Sequence, residues 1–312
     1  SDQATGEPPF IRFEGKTYTI KTAKIGAKLL LEEVIRTGLD GKAKLVFSNG
    51  DTITIGPGTS YRIDSDTKND KKPPSLNIIY GKIRALISSQ GPRSGMRVNT
   101  PTAVAGVRGT DFYVGVAPSN QATQISVLRG QVAVASKPPE VPTKVESQVE
   151  GKVNSKVAVK KEEPKFVIVK SGFIVDVVPK KESPLPSPGA KVAAAPVEVE
   201  ILPVRQATKN ELIRIQTSTA VKQEQKVEDA KIQAELNQLE AQATKTTLED
   251  IQKHDPIMFA KIKEKGIAKL DDIQSEVITE VAKQAPKGPS KPSFDKEDLS
   301  EDVYKKYFNP DN

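Results

Sequence analysis

The chain has 312 residues, of which 36% are hydrophobic and 5% aromatic, and it contains 23 prolines, so part of it is expected to lie outside a packed core. It lacks cysteine and has a single histidine, His254, which excludes disulfides, thiolate metal sites, thiol nucleophiles and a histidine cluster for zinc. The net charge of +7 arises in residues 1–135, which hold 18 Lys and Arg against 11 Asp and Glu. Apart from the adjacent Lys71 and Lys72 these cations are spread singly, as on a solvated surface, and an acidic partner is the less favoured interpretation.

Residues 10–178 alternate between apolar and polar side chains with period two, which is typical of short strands. Two strands are predicted around Glu14-Gly15, and a type I′ hairpin is predicted at Asn49-Gly50. Residues 26–35 also have the pattern of one helical turn, which is the alternative to a strand there. The other predicted strands are read from LNIIYGKIRALIS, MRVNTPTAVAG, TDFYVGV, TQISVLRG, QVAVAS, KVAVK, KFVIVKSG and FIVDVV. Many short strands separated by glycine predict an all-β architecture, interrupted by a loop-like insertion at about 136–165.

The pattern changes after residue 178. Residues 179–204 contain six prolines and are predicted to form an extended linker. Residues 205–245 have helical character and predict a rod of about 50 to 60 Å. Apolar residues repeat along it in two sets, which predicts a helical partner or an oligomer, although Gln216 and Gln223 make half of the seam polar. The sets are Ile213, Ala220, Val227, Ala234 and Ala241, and Ile232, Leu236, Leu239 and Ala243.

Three shorter helices are predicted beyond residue 255. The first spans about 256–265, where Asp255 can cap the helix and Pro256 suits its first turn. Gly266 ends it, and IAKLDDIQSEVITEVAKQ forms the second helix. The segment DKEDLSEDVYKKYF forms the last.

The stretch RVNTPTAVAGVRGTDFYV combines small residues with an arginine between two glycines. A Walker-type phosphate loop needs a lysine before the Thr and a helix after it, and neither is present. Arg108 and Asp111 can face each other across a turn. A buried Arg108 that clamps Asp111 or backbone carbonyls is the favoured interpretation, and anion binding or catalysis is the alternative. The small side chains allow another backbone layer to approach closely.

The sequence TPTAVAGVRGTDFYV, followed by ISVLRGQVAV, resembles the core of the FecR domain, and LLLEEVIRTGLDGKAKLVFSNGDTITIGPGTSYRI is similar to its first half. The resemblance implies a β-solenoid-like or rolled β-sandwich domain outside the cytoplasm that recognises other proteins and has no catalytic residues. Its structural motif here is Thr100, Pro101, Thr102, Gly106, Arg108, Gly109, Thr110 and Asp111. The best-known members are transmembrane regulators of sigma factors that receive a signal from an outer-membrane transporter. Those regulators carry an anti-sigma region and a membrane helix before the β-domain, whereas here the β-domain starts near residue 10.

Catalysis and nucleic-acid binding are both disfavoured by the residues available. His254 has no evident nucleophile partner, and the paired acids lie in polar surroundings typical of solvated charge. Tyr80, Lys82 and Arg84 share one strand face but are explained by an ordinary half-exposed strand. We therefore expect no enzymatic activity, no cofactor, no metal, no nucleic-acid partner and no membrane span.

We expect a mainly β N-terminal domain and a helical C-terminal region with a long helix. The predicted division is a flexible N-terminus at 1–9, a β-domain at 10–178, a linker at 179–204 and a helical region at 205–312. The favoured function is a periplasmic interaction or scaffold component of an envelope assembly, exported and with its signal peptide removed. The alternative is a signalling regulator that relays a signal from an outer-membrane partner to a sigma-factor pathway. Contacts with envelope proteins in a larger complex, or with a second copy through the long helix, are predicted at exposed sheet edges or at Ile213, Ala220, Val227, Ile232, Leu236 and Leu239.

Overall fold

The computed structural model describes residues 10–13, 16–19, 21–30, 33–64, 75–89, 95–137, 166–180, 198–221, 227 and 229–286. The strands in these ranges are β1 (Phe10–Phe13), β2 (Lys16–Thr19), β3 (Val34–Arg36), β4 (Ala43–Val46), β5 (Thr52–Ile55), β6 (Ser60–Asp64), β7 (Ser75–Ile87), β8 (Met96–Asn99), β9 (Ala103–Val107), β10 (Thr110–Val116), β11 (Thr123–Arg129), β12 (Gln131–Ser136), β13 (Phe166–Lys170), β14 (Phe173–Pro179), β15 (Val199–Ile201) and β16 (Arg205–Gln206). The helices are α1 (Lys209–Thr219), α2 (Ala230–His254), α3 (Pro256–Glu264) and α4 (Leu270–Gln284).

Strands β1 and β2 form a separate antiparallel pair around residues 14–15, as predicted. The other fourteen strands form one sheet that turns on itself at the long strand β7. The first half of β7 pairs with β6 and, in parallel, with β8, whereas its second half pairs with β5 and β10. The sheet therefore has two layers. The first layer contains β3, β6, β8, β9, β12 and β13, and the second contains β4, β5, β10, β11, β14, β15 and β16.

Glycine permits the chain to cross between the layers. Gly81 lies in the middle of β7 with φ +105°, and a Cβ there would lie 2.4 Å from the Cα of Thr59. Gly109 joins β9 to β10 with φ +64°, and its missing side chain leaves room for Ser89. A positive φ and so close a contact both disfavour any residue with a side chain at these two positions. This explains why glycine occurs where the chain passes from one layer to the other.

The main hydrophobic core lies between the two layers. Alternate residues of each strand point into it, as the period of two requires. Its largest fully buried members include Tyr61 and Leu76 from the first layer and Ile83 and Phe112 from the second. This is a mainly β region of nearly barrel-like shape, and it does not confirm the predicted β-solenoid.

The four helices pack on the outer face of the second layer. Tyr113, Leu128 and Ile174 point away from the main core and form a second cluster with the helices. The helical members of this cluster are Leu212 and Ile215 of α1, Ile251 of α2, Met258 and Ile262 of α3, and Ile273, Val277 and Ile278 of α4. The second layer is therefore covered on both faces, which explains why β10 and β11 are buried almost without interruption. The helices pack against the sheet and do not stand apart from it.

The predicted continuous helix over 205–245 is wrong. Helix α1 ends at Thr219, and its C-cap residue Ala220 is extended. Thr217, Ser218 and Thr219 each donate a side-chain hydrogen bond to a carbonyl of the preceding turn, at 2.7 to 3.1 Å. Such residues are weak helix formers because their hydroxyls compete for backbone groups. The helical signal therefore stops there and resumes at Asp229, whose side chain caps α2.

The hairpin predicted at Asn49-Gly50 joins β4 to β5, but its turn is not type I′. Gly50 has φ +88°, whereas Asn49 does not have positive φ. The amide of Gly50 donates to the carbonyl of Phe47 at 2.9 Å, and the amide of Phe47 donates to the carbonyl of Asp51 at 3.0 Å. This is the pattern of a turn followed by a glycine bulge.

The predicted linker at 179–204 is wrong at its end, because Val199–Ile201 form β15, which pairs with β14 and belongs to the sheet. Most other predictions agree with the described residues or lie outside them. Helix α3 begins at Pro256, and the Asp255 side chain accepts a 3.0 Å hydrogen bond from the amide of Met258, as predicted. The predicted strand KVAVK and the last helix DKEDLSEDVYKKYF lie outside the described residues, as does most of the 136–165 insertion. Residues 21–30 and 33–35 contain a turn at Ile25-Gly26 and no helix. Within the described ranges, no helix combines the length and apolar character needed to cross a bilayer.

Candidate protein interaction surface

A buried ion pair fastens the helices to the sheet. Arg84 of β7 donates from Nε and Nη2 to the two carboxylate oxygens of Asp111 on β10, at 2.8 and 2.6 Å. The Nη2 group also donates to the backbone carbonyl of Gln274 on α4 at 2.9 Å. Arg84 is 4% exposed and Asp111 is 1% exposed. A bidentate ion pair of this kind fixes the orientation of the arginine side chain. The hydrogen bond from Arg84 to Gln274 then places α4 over β7.

A second cluster of polar side chains holds α2 against the sheet. Asp250 accepts a 2.6 Å hydrogen bond from the hydroxyl of Ser89, and its carboxylate lies 3.5 Å from Nη2 of Arg129. Nε2 of His254 lies 3.2 Å from the same hydroxyl. In a hydrolase the acid orients the histidine, and the histidine activates the serine. Here the acid binds the serine directly and is neutralised by a buried arginine, so the group serves to dock α2.

Cations of the β3–β4 region hold two further helix positions. Lys42 donates from Nζ to the carbonyls of Thr217 and Ala220 at 2.7 and 3.0 Å, where α1 ends. Lys44 lies 3.3 Å from Glu240 of α2 and 2.8 Å from Asp271 of α4. A cation near the last carbonyls of a helix complements its dipole.

Carboxylates within the helical region are held ionised by their partners. Burial alone would raise the pKa of Glu211, but hydrogen bonds from Arg205 and Thr208 outweigh it and lower the pKa to about 2. Hydrogen bonds from Lys261 and Lys283 lower the pKa of Glu280 to about 2. These contacts join the start of α1 to β16, and α3 to α4. The helical region is thus linked internally by charge as well as docked on the sheet.

The predicted motif lies within the sheet. Thr100 and Thr102 are buried, and their hydroxyls form hydrogen bonds of 2.8 and 2.7 Å, respectively, with that of Thr123. Pro101 is half-buried at the bend between β8 and β9, and Gly106 is buried in β9 opposite Ala133. Gly109 occupies the corner described above. Thr110 is fully buried at the start of β10, with no hydrogen-bond partner for its hydroxyl within the described residues.

The predicted role of Arg108 is wrong. Arg108 is exposed at the corner between β9 and β10, and the arginine that clamps Asp111 is Arg84. Arg108 lies at the corner and is exposed to solvent, whereas Arg84 and Asp111 lie on adjacent strands and face α4. A usable signal for Arg84 was present, since this residue interrupts the apolar run of IRALI. No comparable signal exists for Arg129 or Asp250, because their pairing depends on where α2 lies.

The predicted apolar seam is divided by the break after α1. Ile213 is 47% exposed on α1, Ala220 is exposed at its C-cap, and Val227 is half-buried just before α2. Ile232, Leu236 and Leu239 remain together on α2, each half-buried. The first set of heptad positions therefore does not form one helix face, whereas the second set does.

The N-terminal half of α2, residues 230–242, contains no buried residue. The buried residues of α2 all lie at Ala243 or beyond, where the helix meets the sheet. Residues 21–30 lie beside the N-terminal half, because Gly26 packs on Ile232 and Lys28 pairs with Glu235 at 3.0 Å. Exposed apolar side chains of that segment are Ile25, Leu29 and Leu30. Ile232, Leu236 and Leu239 of α2, together with Ile25, Leu29 and Leu30, form an apolar surface, which we call the α2 surface.

Comparison with known proteins relates the sheet to one family. Residues 33–133 match the family described as FecR protein. Two crystal structures of a candidate anti-sigma factor from Parabacteroides distasonis, at 1.65 and 2.50 Å resolution, are similar to the chain, each with 14% identity. The alignments cover 55% of this chain and 59% or 60% of that chain, with TM-scores of 0.34 and 0.35. No curated protein matches the chain.

The match runs from the residue before β3 into β12, and so includes the turn of the sheet at β7 and the whole TPTAVAGVRGTDFYV motif. The resemblance predicted from that motif is confirmed. Residues 33–133 of the chain are a FecR domain.

Proposed function

We propose that the chain is a non-enzymatic regulator in the periplasm that relays a signal by contacting other proteins. The observation that carries this proposal is the FecR domain at residues 33–133, since the best-known proteins with this domain are regulators of sigma factors. A scaffold subunit of an envelope assembly would use the same kind of contact and is the alternative. In either role we propose the division 10–178, 179–204 and 205–312, in which β15 of the second segment and β16 of the third pair with β14 of the first.

The α2 surface is the proposed contact site. Ile232, Leu236 and Leu239 are spaced by four and three residues, so they lie on one side of the helix. The part of α2 that carries them extends past its buried contacts with the sheet. A partner helix with a matching apolar stripe, from another envelope protein or a second copy, fits such a surface. Residues 21–30 leave Leu30 71% exposed beside it, which adds apolar area.

The test is the double substitution Leu236→Asp and Leu239→Asp in the full chain. Two carboxylates on an apolar contact surface must lose water on association, so we expect cross-links to partner proteins in intact cells, identified by mass spectrometry, to disappear. Neither residue is fully buried, so the circular dichroism spectrum should stay unchanged. Leu39→Asp is the matched control, because Leu39 is 93% exposed on the β3–β4 loop. Cross-links that persist in the double variant would show that α2 is only a spacer.

The two candidate functions differ in what precedes the β-domain in the gene. A segment that encodes a helical domain and a membrane span supports the regulator. A segment that encodes a signal peptide alone supports the scaffold subunit. Sequencing the gene upstream of these residues therefore distinguishes them.

A further inference from the structure

Residues 21–30, which we call the strap, lie against the first two turns of α2. Within the strap, the amide of Ala27 donates to the carbonyl of Lys24 at 3.0 Å and closes a turn. Gly26 is the third residue of this turn, where a positive φ is typical of type II, and its φ is +83°. It is also the one residue of the strap that is not exposed. The turn therefore places backbone, and no side chain, against the helix.

The contact of the strap with α2 is close and requires glycine. A Cβ on Gly26 would lie 2.2 Å from Cγ2 of Ile232 and 3.5 Å from its Cβ. The isoleucine side chain thus fills the space that the Cβ of any other residue would need. Ile232 is the first of the three apolar residues that α2 contributes to the α2 surface, so the strap covers one end of this stripe.

The other contacts of the strap are weak. Lys28 lies 3.0 Å from Glu235, but the two side chains are 79% and 53% exposed, and ion pairs so open to water contribute little to stability. Ile25, Leu29 and Leu30 are 39%, 36% and 71% exposed, so they bury little apolar area. A segment with few buried contacts opens locally at small cost.

We infer that the strap is a displaceable cover of Ile232 that regulates binding at α2. While Gly26 lies on Ile232, a partner reaches Leu236 and Leu239 but not the first residue of the stripe. A helix that docks through positions i, i+4 and i+7 needs all three, so full binding requires the strap to shift along α2. A partner that prefers the shifted form then draws the chain into it. This inference rests on the proposed function, since it concerns the same contact site.

An engineered disulfide tests the cover directly. The chain contains no cysteine, and a Cβ on Gly26 would lie 3.5 Å from the Cβ of Ile232, which is at the short end of the range of about 3.5 to 4.5 Å for disulfides. Gly26→Cys with Ile232→Cys should therefore form one disulfide in the full chain, identified by mass spectrometry of its peptides.

This disulfide locks the strap on α2. We expect cross-links to partner proteins in intact cells to fall by about tenfold while the pair is oxidised and to return after treatment with dithiothreitol. Ile232→Cys alone is the matched control, because it loses the same side chain but cannot lock the strap. Its cross-links should not respond to dithiothreitol.

Gly26→Ala tests the cover in the opposite direction. Its Cβ cannot fit beside Ile232, so the strap should leave the helix and cross-links should rise by about twofold or more. Gly95→Ala is the matched control, because Gly95 also has a positive φ, +92°, but no heavy atom lies within 4 Å of the added Cβ.

The outcomes separate this inference from the proposed function. A cysteine pair at Gly26 and Ile232 that does not form a disulfide would overturn the cover. Equal cross-linking of the oxidised and reduced pair, together with its loss in Leu236→Asp with Leu239→Asp, would overturn the cover and leave the contact site in place. So would an equal response of Gly26→Ala and Gly95→Ala. Cross-links that persist in the Leu236 and Leu239 variant would overturn both.

Discussion

Arg84, Asp111, Arg129 and Asp250 lie where the sheet meets the helices, and each is at most 6% exposed. Removing charged groups from water is costly, and a buried pair offsets that cost only with good geometry and additional hydrogen bonds. The Arg84–Asp111 pair has both, since two hydrogen bonds join the side chains and a third reaches α4. The pair fixes the position of the helices, whereas apolar contacts supply most of the attraction.

Asp111→Ala tests this role at the scale of one residue. It leaves the guanidinium of Arg84 buried without its partner, so we expect the free energy of unfolding to fall by about 3 to 5 kcal/mol in urea titrations. Arg108→Ala is the matched control and should change it by less than about 0.5 kcal/mol, because that side chain is exposed. Replacing both partners together, Arg84→Met with Asp111→Leu, should cost less than Asp111→Ala alone. Equal effects of Asp111→Ala and Arg108→Ala would contradict the assignment.

At the scale of elements, α1 depends on its N-terminal cap. The hydroxyl of Thr208 accepts a hydrogen bond from the amide of Glu211, and the Glu211 carboxylate accepts one from the amide of Thr208 at 2.9 Å. Arg205 donates to both oxygens of the same carboxylate. The Glu211 carboxylate therefore accepts a backbone hydrogen bond at the N-terminus of α1 and also links the helix to Arg205 of β16.

This arrangement makes α1 sensitive to acid. The pKa of Glu211 is lowered from 4.5 to about 2, so its stabilising effect is complete above pH 4.5 and is lost as the pH falls toward 2. Glu211→Gln removes the titrating group. We expect the urea midpoint of this variant to be lower at neutral pH and to change less between pH 4.5 and 2 than that of the unmodified chain. Parallel pH profiles for the two proteins would show that Glu211 does not contribute.

Local sequence predicts elements well where glycine marks their ends. The segments TDFYVGV and QVAVAS coincide with β10 and β12, because Gly109 and Gly130 determine the corners before them. Thr217, Ser218 and Thr219 weaken the end of α1, but its exact end was not predicted, because the carbonyl of Thr217 accepts a hydrogen bond from Lys42, which lies 175 residues away in the chain. The partner of Asp111 was missed for the same reason. Arg108 is closer to Asp111 in sequence, but Arg84 lies on the same face of the sheet as Asp111.

At the scale of the whole molecule, the sheet and helices share a core. Tyr113 of β10 and Leu128 of β11 are buried by helices, and α4 accepts a hydrogen bond from β7. Burial raises the pKa of Tyr113 to about 12, which is consistent with a phenol removed from water. Separate folding of the two regions would leave these groups exposed.

We therefore expect the two regions to unfold together. Far-ultraviolet circular dichroism at the helical band and the near-ultraviolet tyrosine signal should follow one transition in urea, with the same midpoint. The chain has no tryptophan, and four of its six tyrosines, Tyr18, Tyr61, Tyr80 and Tyr113, lie in strands, so the tyrosine signal reports mainly on the β region. Leu39→Asp, which lies outside the shared core, should preserve the coincidence. A helical transition at clearly lower urea would show that the helices detach while the sheet persists.

Because the helices cover the second layer of the sheet, the bounds of the family match are not suitable ends for an expressed fragment. The matched residues end at Ala133, inside β12, whereas β13 pairs with β12 and β14 pairs with β11 further along the chain. A fragment cut at that point would lack neighbours on two strands and would bare Arg84 and Asp111 to water on the face that α4 occupies. Such a fragment is a poor candidate for expression, and one that continues through residue 286 keeps every described strand and helix.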